Sequence, residues 1–170
     1  MWRQNFKKGD LNLDMLIQVH DTLSYIYDAN VADALMDGYA GFKLEFSKQT
    51  GRLRYIYKGK DPFLTIIPTN GWIIPSMEAF EIIKNATEPP KYRVIVTDEA
   101  AKYASEGKSV FTQYVVDIDK NLKPNDEIMI VDQQDRLAAL GKLNLPIQFI
   151  TAERNGVAVK NKKGNKKYLK

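Results

Sequence analysis

Hydrophobic positions along the chain fall first into helical spacing and then into alternation. Over residues 11–38, Leu13, Leu16, Ile17, Leu23 and Ile26 form one apolar face. Val31, Ala32, Leu35 and Met36 form a second, which ends near Gly38, and Asp28 to Asn30 breaks the run between them. The period then changes to two. Phe42, Leu44 and Phe46 alternate with Lys43 and Glu45, Ser47 to Gly51 turns the chain, and Arg52 to Tyr57 returns. Lys58 to Pro62 is a second turn and Phe63 to Ile67 a third strand. After an apolar stretch at Trp72 to Ile74, Ser76 N-caps a helix through about Lys84, with Met77, Phe80 and Ile83 facing inward.

The second half reads as short strands around a single short helix. Val94, Ile95 and Val96 are consecutive β-branched residues, as in a buried strand. Thr97 caps the helix that follows, Asp98 and Glu99 suit its positive end, and Gly107 suits a left-handed stop. Asn125-Asp126 turns into Glu127 to Val131, Gln133 to Asp135 turns into Leu137 to Leu140, and Asn155-Gly156 turns into Val157 to Val159. Asn161 to Asn165 is read as a turn that returns Lys166 to Leu169 as a last strand. Such a succession implies a small, mostly β barrel. Glu88-Pro89-Pro90 ends the preceding helix and stiffens a linker, dividing the chain into modules of 1–88 and 91–170. The expected fold class is α+β, a small N-terminal α/β module followed by the barrel.

Charge changes this picture in one place. The net charge is +4, yet Thr151 to Lys170 carries Arg154 and six lysines against Glu153, a net of +6, leaving −2 for the rest. A local basic end suits either a polyanion or plain solvation. The chain has no cysteine and one histidine, His20, which is read as lying on or beside a helix surface. Disulfides and thiolate metal sites are therefore excluded, and a reducing, cytoplasmic setting is expected. No apolar run reaches membrane-spanning length, and no apolar core follows Arg3, Lys7 and Lys8 as a signal peptide requires.

A reaction centre is not legible. Asp98-Glu99 and Asp126-Glu127 are adjacent in sequence, which does not make two carboxylates converge on one substrate atom; a helix start and a strand start account for them. Gly38-Tyr39-Ala40-Gly41 is too short for a phosphate loop and lacks its lysine. No catalytic residue, metal or cofactor is expected.

The stretch Tyr92 to Lys160, with its strand, its short helix ending at Gly107, its Asp126-Glu127 strand, its Ala139-Leu140-Gly141 strand and its closing Gly156-Val157-Ala158-Val159, resembles a PUA domain. PUA domains are small RNA-binding β-barrels of RNA-modifying enzymes and translation factors. Upstream, Ser47-Lys48-x-Thr50-Gly51-Arg52-x-Arg54 resembles the segment preceding the PUA domain in archaeosine tRNA-guanine transglycosylases. That family is also similar at Gly107-Lys108-Ser109-Val110-Phe111 through Val115-Val116-Asp117, and at Leu122-Lys123-Pro124-x-Asp126-Glu127. The likeness runs from about Tyr25 to Lys160. Tyr27 to Val31 departs from it, standing where the family favours an Asp-Tyr-Gln-Phe-Gly run.

The resemblance implies an archaeal RNA-binding protein of tRNA modification, without the large zinc-bearing catalytic barrel of those enzymes. It implies a grip on the acceptor stem and 3′ end of tRNA, with a transglycosylase chain as catalytic partner in archaeosine biosynthesis. A free-standing PUA protein of translation or ribosome biogenesis is the alternative. By the same resemblance, the residues facing RNA are Lys102, Gly107, Lys108, Ser109 and Gln113, with Lys160, Lys162 and Lys163 on the closing side. Gly107 would permit close approach and offer backbone amides to phosphate; it also reads as a plain helix stop, and the two roles are compatible. Phe111 and Tyr114 either stack on bases or fill the core. Arg52 and Arg54 share a strand face that could meet a phosphate, a partner protein or solvent, the last two being favoured.

Overall fold

The computed structural model describes residues 6–9, 13–152 and 155–169, with backbone alone at 6–9. These form two compact units, Met1–Ala86 and Thr87–Lys170.

In the first unit, strand β1 (Phe6–Gly9) precedes helices α1 (Leu13–Ile26) and α2 (Ala29–Met36). Strands β2 (Lys43–Ser47), β3 (Leu53–Tyr57), β4 (Pro62–Ile66) and β5 (Ile73–Pro75) lead to helix α3 (Met77–Asn85). The sheet order is β1-β2-β3-β4-β5, antiparallel throughout. Alternation sets its inner face: Leu44, Ile56 and Leu64 oppose one another across the strands and are buried. α1 packs on α2, α2 on α3, and α3 on β4 and β5. Each fully buried Leu, Ile or Phe contributes roughly 1.5–3 kcal/mol.

Two helix starts in this unit carry a working cap, Ser76 as expected and Asp28, which the sequence marked only as a break. Asp28 accepts from the Val31 amide at 2.9 Å and Ser76 from Ala79 at 3.2 Å. The capping carboxylate at Asp28 is what splits the helical run into α1 and α2; residues 11 and 12 of that run lie outside the described residues. The inward face of α1 differs from the expectation. Val19 and Leu23 are buried, whereas Leu13 is 70% and Ile17 49% exposed. Val19 and Leu23 share one stripe at a spacing of four, and Leu13 and Ile17 lie on another, beside Asp21 and Tyr25. Strand β1 was not anticipated; it adds to β2 at the sheet edge. His20 lies on α1 as expected, its Nε2 2.9 Å from Asp33 Oδ1 on α2.

In the second unit, strand β6 (Arg93–Val96) leads into helix α4 (Asp98–Ser105) and then strand β7 (Val110–Phe111). A 3-10 turn at Thr112–Tyr114 precedes β8 (Val115–Ile118), followed by β9 (Glu127–Val131) and β10 (Leu137–Leu143). Helix α5 (Ile147–Ala152) and strand β11 (Val157–Gly164) follow. The order is β7-β11-β10-β9-β6-β8, with β6 parallel to β9. The edge strands β7 and β8 are consecutive in the chain and joined by the 3-10 turn, so the sheet nearly closes on itself. Together the two units make the α+β arrangement expected. Ala101, Ala104, Ala138, Ala139 and Ala158 are fully or almost fully buried, so small side chains let α4 lie close on the barrel strands.

Two expectations fail here. A second helix, α5, is present; Pro146 O accepts from the Phe149 and Ile150 amides, and Ile150 is buried. Asn161–Gly164 is strand rather than turn, because Asn161 pairs with Gly141, Lys163 with Leu140 and Gly164 with Ala139. The turn comes later, over 166–169. Its closure is polar: Asn165 Nδ2 donates to Leu137 O at 2.8 Å, and the Tyr168 hydroxyl donates to Asp132 at 2.8 Å.

Three buried polar residues hold the unit. Arg93, with no exposure, donates to Asp135 at 2.7 Å, Lys91 O at 2.6 Å and Thr87 O at 2.8 Å. Asp119 accepts from the Tyr92 amide at 2.8 Å. Asp132, also with no exposure, accepts from the amides of Gln134 and Arg136, from the Arg136 guanidinium and from Tyr168.

Candidate nucleic-acid interface

The candidate site forms where α4 stops. Thr97 starts the helix, accepting from the Ala100 amide at 3.4 Å, with Asp98 and Glu99 in the first turn. At the other end Gly107 adopts φ +99°. The Gly107 amide donates to Ala104 O and the Lys108 amide to Tyr103 O, the paired bonds of a Schellman stop. Both amides are thus used within the turn. Gly107 is thus a helix stop, with its own amide bonded inside the turn.

That stop places Tyr103 and Lys108 beside β7. A groove of about 450 Å³ runs between them, lined by Tyr103, Lys108, Ser109, Phe111, Gln113 and Tyr114. Tyr103 is 45% and Phe111 48% exposed, so two aromatic rings stand half in solvent. Lys108 Nζ lies 4.6 Å from the Tyr103 ring centroid and 3.8 Å from Glu106. Its side chain is 63% exposed. Half-exposed rings beside an exposed cation can stack a planar base and hold its phosphate.

Strand β11 fastens the groove's floor. Asn161 Nδ2 donates to Ala104 O at 2.7 Å and Lys108 O at 3.0 Å, and the Asn161 amide donates to Ser109 Oγ at 3.3 Å. Three residues on, Gly164 passes so close to Ser105 O that a Cβ would collide with it. β7 itself is a two-residue strand paired with β11. The loop's shape is therefore fixed from more than 50 residues away.

The sequence-derived residues separate into three groups. Lys108, Ser109 and Gln113 converge in the groove. Lys102 is exposed on α4 and Gly107 sits in the stop, both outside the lining. Lys160, Lys162 and Lys163 lie on β11. Lys160 follows Val159, which pairs with Val110, and opposes Lys142 on β10. Lys162 is bound to Glu127 at 2.8 Å, and Lys142 lies 3.6 Å from the same carboxylate, whose side chain is only 7% exposed. That pairing occupies Lys162, while Lys163 remains exposed. Further along, the 166–169 turn is held at Asp132. Burial, then the bond to Asp132, pushes the Tyr168 hydroxyl up to about 12.

Two residues escaped the sequence reading. Tyr103 was passed over as a helix residue; its position five before Lys108, on the exposed side of a short amphipathic helix, was the available signal. Asn161 was read as turn-forming, and no local feature reveals that it reaches Ala104. Phe111, left open between stacking and core, is a groove residue. Among the described residues, no group of three His, Cys, Asp or Glu is placed to hold a metal ion, and no helix is long and apolar enough to cross a membrane.

Residues 92–164 match the PUA domain, and residues 18–90 match the patch-forming domain C2 of tRNA-guanine transglycosylase. The tRNA-guanine(15) transglycosylase of Methanobrevibacter smithii is 36% identical over 154 residues, covering 91% of this chain and 23% of that protein. That of Methanocaldococcus jannaschii is 34% identical over 158 residues, covering 92% and 24%. The chain thus spans about a quarter of the length of these relatives. Among solved structures, a hypothetical protein of Pyrococcus horikoshii shares the fold at a TM-score of 0.70 and 18% identity, covering 94% of this chain and 95% of that one. A conserved PUA domain protein of Thermoplasma acidophilum does so at 0.63 and 19%, covering 96% and 97%. With a patch-forming C2 unit leading directly into a barrel of this topology, the chain belongs to the PUA-domain proteins and is built like the C-terminal region of an archaeal tRNA-guanine transglycosylase.

Proposed function

We propose that this chain binds RNA, with tRNA as its target, through the Tyr103–Lys108–Phe111 groove. In this reading it is the non-catalytic, RNA-gripping part of an archaeosine tRNA-guanine transglycosylase. A separate barrel chain would carry out the base exchange while the PUA module, from about residue 91, holds the acceptor stem and 3′ end. The module up to about residue 88 would supply the contact to that partner. The observation that carries the reading is the groove itself: two half-exposed aromatic rings and an unburied lysine on the face that α4, β7 and β11 build together.

Titration of labelled tRNA against the chain tests it. Phe111→Ala should cost about 1–3 kcal/mol of binding if a base stacks there. Lys108→Ala should flatten the dependence of log affinity on log salt by roughly 0.7–0.9, the share of one phosphate. Both changes sit on exposed side chains and should leave thermal stability unchanged. Unaltered tRNA affinity in both variants at low salt would remove the groove from the RNA reading.

A second reading is a free-standing PUA protein of translation or ribosome biogenesis; the two structural neighbours above share the fold over both units. Affinity purification from the native cell separates the two. Recovery of a barrel-type transglycosylase chain supports the first, and recovery of ribosomal subunits the second.

A further inference from the structure

The Ser47–Arg54 segment, distinctive in sequence, takes no part in the Tyr103–Phe111 groove. It forms the β2–β3 turn and the start of β3. Ser47 Oγ accepts from the Thr50 amide and Thr50 Oγ1 from the Arg52 amide, both at 3.4 Å, so the turn is braced from within. Its two arginines lack such balance. Arg52 donates through Nη1 to Pro68 O at 3.2 Å. Arg54 is half-buried, and its Nε is buried with no hydrogen-bond partner. Among the described residues, no carboxylate lies within ion-pair distance of either guanidinium. By alternation Arg54 shares the inner face with Ile56, and the register that pairs Tyr55 with Thr65 sets it across from Ile66.

Beside them a groove of about 380 Å³ runs between α1 and the ends of β3, β4 and β5. Met15 and Val19 on α1, with Ile66 and Ile73 on the sheet, make it apolar. Gln18 and Arg52, both exposed, stand at its mouth, and no acidic residue is in its described lining. This chemistry suits a protein segment better than a nucleic acid. The described lining holds no aromatic ring on which a base could stack, and its apolar floor offers nothing to a sugar-phosphate chain. An aliphatic side chain fits that floor. A carboxylate beside it meets the guanidinium fork, whose planar donors match its two oxygens.

A source for such a segment follows from chain length. In the transglycosylase relatives, about three-quarters of the polypeptide lies outside the stretch this chain matches. There the C2 unit is held to the rest by covalent continuity. A separate barrel chain lacks that link and needs a non-covalent one.

We propose that the α1–β3 groove docks the catalytic barrel chain, taking from it a segment that presents an aliphatic side chain next to an Asp or Glu. The aliphatic group seats on Ile66 and Ile73, and the carboxylate pairs with Arg52 and Arg54. The proposal rests on the split-transglycosylase reading above and gives its protein contact a place and a chemistry.

The test mixes the full chain with the barrel-type transglycosylase chain of the same cell, both purified, and measures their affinity. Arg52→Glu reverses an exposed charge, and Gln18→Trp narrows the mouth. Each should weaken the complex by about tenfold or more, the scale of losing one partner of an interfacial charge pair, and leave tRNA affinity unchanged. Arg54→Met should weaken the complex as much. It should also leave the urea midpoint of the free chain equal or higher, because it removes a half-buried charge that has no partner. A lowered midpoint with an intact complex would make Arg54 a structural residue and overturn its role. If all three variants hold the barrel chain at wild-type strength, the docking groove is overturned and the split-enzyme reading survives on a contact elsewhere. If they weaken tRNA binding instead, the occupant is RNA; if they change only self-association, it is a second copy. Either result overturns the proposal. A wild-type chain that binds no barrel chain brings down the split-enzyme reading and the groove together.

Discussion

The two units differ in how they close their sheets. From β2 onward in the first, each strand pairs with the one before it, and hairpin turns do the joining. Its side-chain-to-backbone bonds are shorter in range: Asp28 to Val31, Asn70 to Trp72 and Ser76 to Ala79 lie within three residues, and Arg52 to Pro68 O spans 16. In the second unit, the order β7-β11-β10-β9-β6-β8 brings together strands that are distant in the chain. Its polar bonds span 27 residues at Asp119, 36 at Asp132, 42 at Arg93 and 57 at Asn161. Where hairpins cannot fix the register, polar side chains take over, and the buried ones, Arg93, Asp119 and Asp132, are each satisfied by several partners. Half-satisfied networks are costly, so such anchors act in full or become liabilities.

If that contrast is right, breaking an anchor should cost more than breaking a cap. The largest effect is expected at Arg93→Met. It leaves Asp135, Lys91 O and Thr87 O without their donor, and loss of one partner of a buried ion pair costs about 3–5 kcal/mol. Hydrogen exchange should show the β6 and β9 amides losing protection while those of β2 to β4 keep theirs. Uniform loss over both units would break the comparison.

Asp132 comes next. Burial alone would raise its carboxyl, but the Arg136 amide, the Tyr168 hydroxyl, the Arg136 guanidinium and the Gln134 amide together hold it below its ordinary 3.8. A depressed carboxylate contributes stability that is present above its unfolded value and lost as pH falls through the folded one. The second unit should therefore weaken below about pH 4. Asp132→Asn should cost about 1–3 kcal/mol at pH 7 and flatten that acid limb, read from urea midpoints.

Ser76→Ala should cost about 1 kcal/mol in the first unit, as caps do, measured by urea denaturation. The smallest effect is at His20. Its bond to Asp33, opposed by slight burial and helped by Asp21, raises its pKa above 6.5. Its contribution is full below the unfolded value and fades as pH rises through the folded one. Because the pair is exposed, His20→Ala should cost at most a few tenths of a kcal/mol at pH 5, and less at pH 8. The acid responses of the two units thus carry opposite signs, and a pH series of urea midpoints can separate them.

The same contrast explains what was legible beforehand. Strands β2 to β4 follow from alternation, α2 from its apolar spacing, and α3 and α4 from caps whose partners lie three residues away. Gly107 could be read as a helix stop because the requirement for positive φ is local. Arg93, Asp132 and Asn161 could not be read as anchors, since nothing near them in sequence names a partner 36 to 57 residues distant. Strand β11 was cut short at Val159 because Asn161 to Asn165 has turn composition, and only the opposite strand, β10, makes it extended. In the site, Lys108, Ser109 and Gln113 lie close in sequence and were found together. Tyr103 and, in the first unit, the α1–β3 groove depend on packing. Lys162 looked like an available cation because its partner Glu127 is 35 residues away.

The reach of Asn161 also has a consequence during synthesis. β7 lies at the sheet edge beside β11, and the turn after α4 is tied down from residue 161. While the chain emerges from the ribosome, α4 and β7 are exposed some 50 residues before their fastening strand arrives. Long-range pairing of this kind is late by nature. The groove is thus among the last features of the barrel to take shape, and a nascent chain would have no finished hold for RNA until β11 has been laid in place.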